Sequence, residues 1–232
     1  GLITAAQEPC MDVSLLYTAL LDFATKAGHC YTDYIVKDAI STVIEGGVYD
    51  GWDSAVFLEQ FSQPKIYGFE ACPFFFAVSP LKDYVLSRGV EVEPYALWHE
   101  KATLPFRVMD GSPTTGDHAT ASRVVANQAK STNEVEAVSI DGYVTEKGID
   151  KVDFIKMDIE GAELSALCGA ENTLREHRPQ LAICLYHSPD DFYKIPLFLN
   201  KVLSNYQYRF GKYEGMESVG GSVLYAIPQE LV

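Results

Sequence analysis

From residue 43 onward, short apolar runs alternate with stretches whose apolar positions recur at helical spacing. Residues 43–47 read as a strand and 54–61 as a helix. Residues 65–69 are strand-like again. Ser79 and Pro80 form a cap and first-turn pair for a helix ending near Gly89. A third strand is expected over 90–98. Upstream, Leu15, Leu16, Leu20, Leu21 and Phe23 give a helix over 12–27, and Thr32 caps a second helix over 32–42. These two form an N-terminal helical cover, residues 1–42, ahead of a main domain over 43–232.

The alternation lapses between about 103 and 140. Short strands at 104–108 and 135–140 flank a loop rich in Gly, Pro and Ser at 110–117, too long for a tight hairpin. It then resumes, with a strand at 152–157, a helix at 162–176, a strand at 180–186 and a helix at 190–203. The last two strands, 206–213 and 222–227, leave no room for a crossover helix and must pair antiparallel. Repeated strand-helix units ending this way predict an α/β fold, with a mostly parallel sheet and helices on both faces.

Two hundred and thirty-two residues suffice for one large α/β domain, and a hydrophobic content of 47% excludes a disordered chain. The net charge of -14 argues against a broad nucleic-acid surface or an anionic membrane as partner. No apolar run reaches membrane-spanning length, and the N-terminus lacks the pattern of a signal peptide. The chain opens on Gly1 rather than Met, which fits a fragment with a fused or upstream domain elsewhere. Five cysteines show no metal-ligand spacing, and Cys168 and Cys184 suit reduced, buried thiols. The cytoplasm is the expected compartment, and a small molecule or glycan the expected partner.

Chemistry concentrates at strand ends. Glu45 ends the first strand and is followed by Gly46, Gly47 and Gly51, which allow a tight turn and close approach to a ligand. Asp53 opens the next helix, whose amino end faces the same crevice. Glu70, followed by Ala71, ends the second strand, where nucleotide-binding α/β folds place an acid for ribose hydroxyls. A dinucleotide site prefers G-x-G-x-x-G, whereas this loop reads acid-x-Gly-x-x-x-Gly. Glu45 and Asp50 repel a pyrophosphate but suit the cationic end of S-adenosylmethionine. A plain Gly-rich turn without a ligand is the competing reading.

Residues 152–163, VDFIKMDIEGAE, place Asp158 and Glu160 at the carboxyl end of a strand, where open α/β sheets bind ligands. His187 ends the neighbouring strand. An unperturbed imidazole titrates near neutrality and suits a general base; the alternative is a strand-end histidine bonded to a backbone carbonyl. Glu163 reads as a helix-start acid favoured by the dipole.

The chain resembles the FkbM family of S-adenosylmethionine-dependent methyltransferases from about residue 44 to 227. The likeness is carried by EGGVYDG (45–51), YGFEACP (67–73), ALW (96–98), VSIDG (138–142), VDFIKMDIEGAE (152–163), LCGA (167–170), RPQLAICLYH (178–187) and VLYA (223–226). Glu45 stands where the family often has Asp, and Trp52 is a bulky addition to the loop. The resemblance implies a Rossmann-like class I methyltransferase fold with a seven-stranded sheet. It also implies O-methylation of a hydroxyl on a sugar, glycan or other small natural product. Methyl transfer to an alcohol needs alignment and a base or metal, for which Asp158, Glu160 and His187 are the candidates. Ala96, Leu97 and Trp98 are expected to flank the adenine. No metal is assigned, although Asp158, Glu160 and Asp190 or Asp191 form a conceivable magnesium set. The competing functions are a Rossmann-type oxidoreductase using NAD, disfavoured by the glycine spacing, and a non-catalytic domain, favoured if Trp52 fills the loop. The loop over 110–134 and the N-terminal helices are expected to shape the acceptor pocket.

Overall fold

The structure is a computed structural model that describes residues 31–72, 76–77, 79, 81–108, 122–125, 133–212 and 221–232. In chain order its elements are β1 (Thr42–Gly46), α1 (Trp52–Gln60), β2 (Lys65–Phe69), α2 (Lys82–Ser87), β3 (Glu91–Glu93), β4 (Ala96–Leu97), β5 (Ala102–Arg107), β6 (Arg123–Val124) and β7 (Asn133–Val138). Then come α3 (Ile140–Lys147), β8 (Phe154–Met157), α4 (Glu163–Cys168), α5 (Glu171–His177), β9 (Gln180–Cys184), α6 (Asp191–Val202), β10 (Tyr206–Lys212) and β11 (Ser222–Pro228). Among the described residues no helix is long and apolar enough to cross a membrane.

The main sheet has seven strands in the order β10-β11-β9-β8-β1-β2-β3. Strands β3, β2, β1, β8 and β9 run parallel, and β11 lies antiparallel to both β9 and β10. This is the mostly parallel seven-stranded sheet with an antiparallel ending expected from the sequence. Every residue of β8 and β9 is buried, as parallel strands covered on both faces require. Alternation along β8 divides the core. Ile155 and Met157 join Ile140, Leu167, Leu174 and Leu199 on one face, while Phe154 joins Phe57, Val85 and Tyr225 on the other. From β1 the sheet grows first through β2 to β3 and then, on the opposite side, through β8 to β9. The reversal puts a crevice between the carboxyl ends of β1 and β8.

The structure corrects several boundaries. Helix 12–27 lies outside the described residues. In place of the second helix expected over 32–42, residues 32–41 form turns and a 3-10 segment, Lys37–Ala39, and Thr42 already opens β1. The Gln180 side chain takes both backbone groups of Val36, accepting from its N–H at 2.8 Å and donating to its carbonyl at 3.1 Å. Thr32, expected as a cap, donates instead to Gln60. The single strand read over 90–98 is two strands in different sheets, separated at Pro94, which has no N–H to continue a ladder. From there the chain leaves the main sheet to build a second one, β4-β7-β5-β6, before returning through α3. Helix α3 was not legible as a helix, yet its boundaries carry a Ser139 cap and a left-handed Gly148.

The helix expected over 162–176 breaks into α4 and α5. Asp141 caps the second piece, accepting from the N–H groups of Asn172 and Thr173 at 3.0 and 2.8 Å. Gly169, at the break, lies so close to the Trp98 carbonyl that an added Cβ would stand 2.2 Å from its oxygen. Gly169→Ala must displace backbone, and we expect a loss of about 1–3 kcal/mol of stability. Urea unfolding checks this; an unchanged midpoint would show that the second sheet is not clamped there.

Candidate active site

The carboxyl ends of β1, β2, β8 and the first turn after β9 meet at the crevice. A cleft opens there. Of the residues anticipated for a cofactor, Gly47, Glu70, Ala71, Ala96, Leu97 and Asp158 line it, joined by Glu160. Phe106, Ser122 and Val124 of the second sheet close its other side. None of its described lining residues is Lys, Arg or His.

Backbone geometry sets this floor. Gly47 has φ +79°, and a Cβ on it would meet the Asp158 carbonyl oxygen at 2.0 Å. The Gly47 N–H donates to Phe69 and the Asp158 N–H to Gly46, so three strand ends are laced together. Glu70 accepts from the N–H groups of Tyr49 and Cys72, both at 2.8 Å. These bonds aim its carboxylate while leaving lone pairs for further donors. Burial raises the Glu70 pKa against the pull of those amides.

The other anticipated residues lie elsewhere. Glu45 is fully buried beneath the loop, where Ser54 Oγ donates to it at 2.5 Å. Burial pushes its carboxyl up to about 7 despite attraction from Lys156. Gly46 packs between Leu97 and Ile159, and left-handed Gly51 precedes α1. Asp53 pairs with Lys156 at 3.0 Å. Trp98 hydrogen-bonds to Val138 through its backbone and sits beside His99, off the cleft. Trp52 is 63% exposed and does not line this cleft. It borders an adjoining cavity of about 300 Å³ with Tyr31, Asp53 and Lys156. The two cavities share Gly47, Tyr49, Asp158 and Glu160.

The three residues anticipated for catalysis form one cluster. His187 Nε2 lies 3.3 Å from Asp158 and 3.6 Å from Glu160, and its Nδ1 lies 2.9 Å from Glu163. Neither nitrogen is aligned for a conventional hydrogen bond, so the attraction is that of ion pairs. Burial disfavours the charged ring, but Asp158 and Glu163 outweigh it and push the His187 pKa up to about 10. That direction favours the charged ring over the neutral imidazole that general-base work near neutrality would use. Asp158 also accepts from Tyr31 at 2.6 Å and from Tyr186 at 3.0 Å. Burial works against its charge, yet His187, Lys156 and Tyr31 hold its carboxyl well below the usual carboxylate range.

Glu160 differs. Burial pushes its carboxyl up to about 7; His187 pulls it down, and Asp158 and Glu163 add to the rise. Its backbone is left-handed, φ +57°, beside Gly161 at φ +97°. Such a conformation costs a non-glycine residue about 1–3 kcal/mol and clusters at functional sites.

Sequence reasoning missed Lys156, Tyr31, Tyr186 and the extent of Glu163's involvement. Lys156 had a signal, a lone cation in an otherwise apolar strand. The tyrosines had none, since Tyr31 reaches Asp158 across 127 positions.

Asp158, Glu163 and His187 offer donors within 4.8 Å of one another. The carboxylates anticipated for magnesium do not converge: Asp190 pairs with Lys194, and Asp191 accepts from the Ser188 N–H. Both Glu163 oxygens accept backbone N–H groups, from Ile159 and Gly161. With a nitrogen donor in the set, the cluster does not fit magnesium, which favours oxygen and water.

A family model described as the methyltransferase FkbM domain matches residues 45–210. No curated protein matches the chain at a significant level. Among solved structures, methyltransferase FkbM from Methylobacillus flagellatus KT is similar at 19% identity and a TM-score of 0.63, covering 93% of this chain. The present chain spans only 58% of that one. Precorrin-6y C5,15-methyltransferase from Geobacter metallireducens GS-15 is similar at 11% identity and a TM-score of 0.48, over 96% of this chain and 90% of its own. An rRNA methylase from Streptococcus thermophilus gives 16% identity and a TM-score of 0.46, over 97% and 99%.

A folded-state pKa of about 10 for His187, above the ordinary 6.5, means both ring nitrogens keep their protons across pH 6–8. The associated stability is full below pH 6.5 and is lost as pH rises through about 10. Nitrogen-15 shifts of the imidazole will show it; titration near 6.5 would contradict the ion-pair cluster.

Proposed function

The chain belongs to the FkbM methyltransferase family, and on that premise we propose that it methylates a hydroxyl of a sugar, glycan or other small natural product, using S-adenosylmethionine. The observation that carries this reading is the cleft's charge. Its described lining holds Glu70, Asp158 and Glu160 and no cation, which suits a sulfonium nucleoside and opposes a pyrophosphate. An NAD-dependent reaction is disfavoured for that reason. Trp52 is exposed and borders the adjoining cavity rather than the cleft, which supports the catalytic reading over a non-catalytic domain.

The residues present fit the cofactor. Glu70, aimed by Tyr49 and Cys72, would accept hydrogen bonds from the ribose hydroxyls. Leu97, Ala96 and Phe106 give an apolar slot for a planar base. Asp158, kept ionised by its partners, turns negative charge toward a cation. When bound, S-adenosylmethionine supplies an electrophilic methyl group. Glu160 is the group whose pKa of about 7 matches general-base work near neutrality. It would take the acceptor's hydroxyl proton as that oxygen receives the methyl group and the cofactor's S–C bond breaks, releasing the thioether S-adenosylhomocysteine. His187, as an imidazolium, holds Asp158 and Glu160 in place rather than abstracting the proton itself.

Isothermal titration should show saturable binding of S-adenosylmethionine and none of NAD; the reverse result ends the proposal. With labelled cofactor and a library of glycans and alcohols, activity should fall as pH drops through about 7, because Glu160 protonates there. Glu160→Gln should lower kcat by about 10²–10⁴-fold, leave cofactor affinity nearly unchanged and remove the acid limb. If the limb persists in that variant, another group is the base.

A further inference from the structure

Lys156 is the one fully buried lysine or arginine among the described residues, 1% exposed in a strand otherwise made of Phe, Ile and Met. Taking an ammonium out of water is costly unless partners repay the loss. Its partners are specific. Nζ donates to the Gly47 carbonyl at 2.8 Å, pairs with Asp53 Oδ2 at 3.0 Å and lies 4.7 Å from the centroid of the Tyr31 ring. Gly47 belongs to the left-handed turn that floors the cleft. Asp53 stands in the first turn of α1. The ammonium therefore ties the turn to the helix start that follows it, from underneath.

We infer that Lys156 is a positioning residue for the cofactor, acting through the Gly47 carbonyl and the Asp53 carboxylate to fix the shape of the glycine turn. This rests on the proposed use of S-adenosylmethionine. It goes beyond it in giving the strand's lysine a second task, shaping the turn, beside its attraction for Asp158. Asp53 by itself cannot do the tethering, because a carboxylate has no proton to offer a carbonyl. A merely neutralising lysine needs only its attraction to the acids around it, Asp53, Glu45 and Asp158. A positioning lysine also needs the bond to Gly47, and the two demands separate by mutation.

The test is isothermal titration of the full chain with S-adenosylhomocysteine, alongside thermal unfolding, for the parent, Lys156→Met and Lys156→Met with Asp53→Asn. Losing one buried charge-assisted bond to the turn should weaken binding about tenfold to a hundredfold in Lys156→Met. The double variant, which removes the carboxylate the lysine pairs with directly, should recover part of the unfolding temperature but not affinity. Amide exchange at Val48 and Tyr49 should quicken in both variants. Full affinity in Lys156→Met overturns the inference, and so does full recovery of affinity in the double variant, which would reduce the lysine to a counterion. If the single variant fails to fold, the double variant alone decides between these outcomes. A parent chain that binds no S-adenosylhomocysteine refutes the cofactor assignment instead, a result distinct from either.

Discussion

The ends of β1 and β8 approach until only a hydrogen atom fits between the Gly47 α-carbon and the Asp158 carbonyl. That approach follows from the parallel register, which sets Gly46 opposite Met157. It has two consequences. The glycine turn must be left-handed, and the chain after β8 must swing Asp158 and Glu160 across the mouth of the crevice. The contact leaves no room for a side chain, so the cleft's floor is backbone and its character comes from what surrounds it.

What surrounds it is a set of acids held in different states by their neighbours. Glu45 and Glu160 share a side-chain type and a pKa near 7, yet their positions divide them. Glu45 is sealed under the loop with a serine and cannot meet a ligand without rearrangement. Glu160 faces both cavities. A raised pKa alone does not mark a working group; access has to go with it.

The fold was largely legible because buried parallel strands announce themselves as apolar runs, and the antiparallel ending followed from a missing crossover. The departures share a cause: long-range partners overruled local preference. Gln180 occupies the backbone of Val36, and Pro94 diverts a strand that composition would have continued. The strand-end acids were legible from position, but which way each side chain turns was not. Glu45 and Gly47 stand two residues apart, and only the second reaches the cleft. Lys156 was passed over because an apolar run with one interruption still reads as a strand. The charge of His187 was beyond sequence reasoning, since it depends on Glu163, which local rules assign to the helix dipole.

Glu163 shows how one side chain serves both demands. Its two oxygens accept the N–H groups of Ile159 and Gly161, which shapes the turn carrying Glu160. The same carboxylate sits 2.9 Å from His187 Nδ1 and helps keep that ring charged. A helix-start acid thereby fixes the backbone on which the proposed base stands and the cation that steadies it. Were Glu163 only a dipole complement, solvent exposure would suit it, because exposed acids serve that purpose at little cost. Its complete burial instead fits a residue whose bonds all point inward, so the geometry of the turn and the ionisation of the cluster cannot be altered separately.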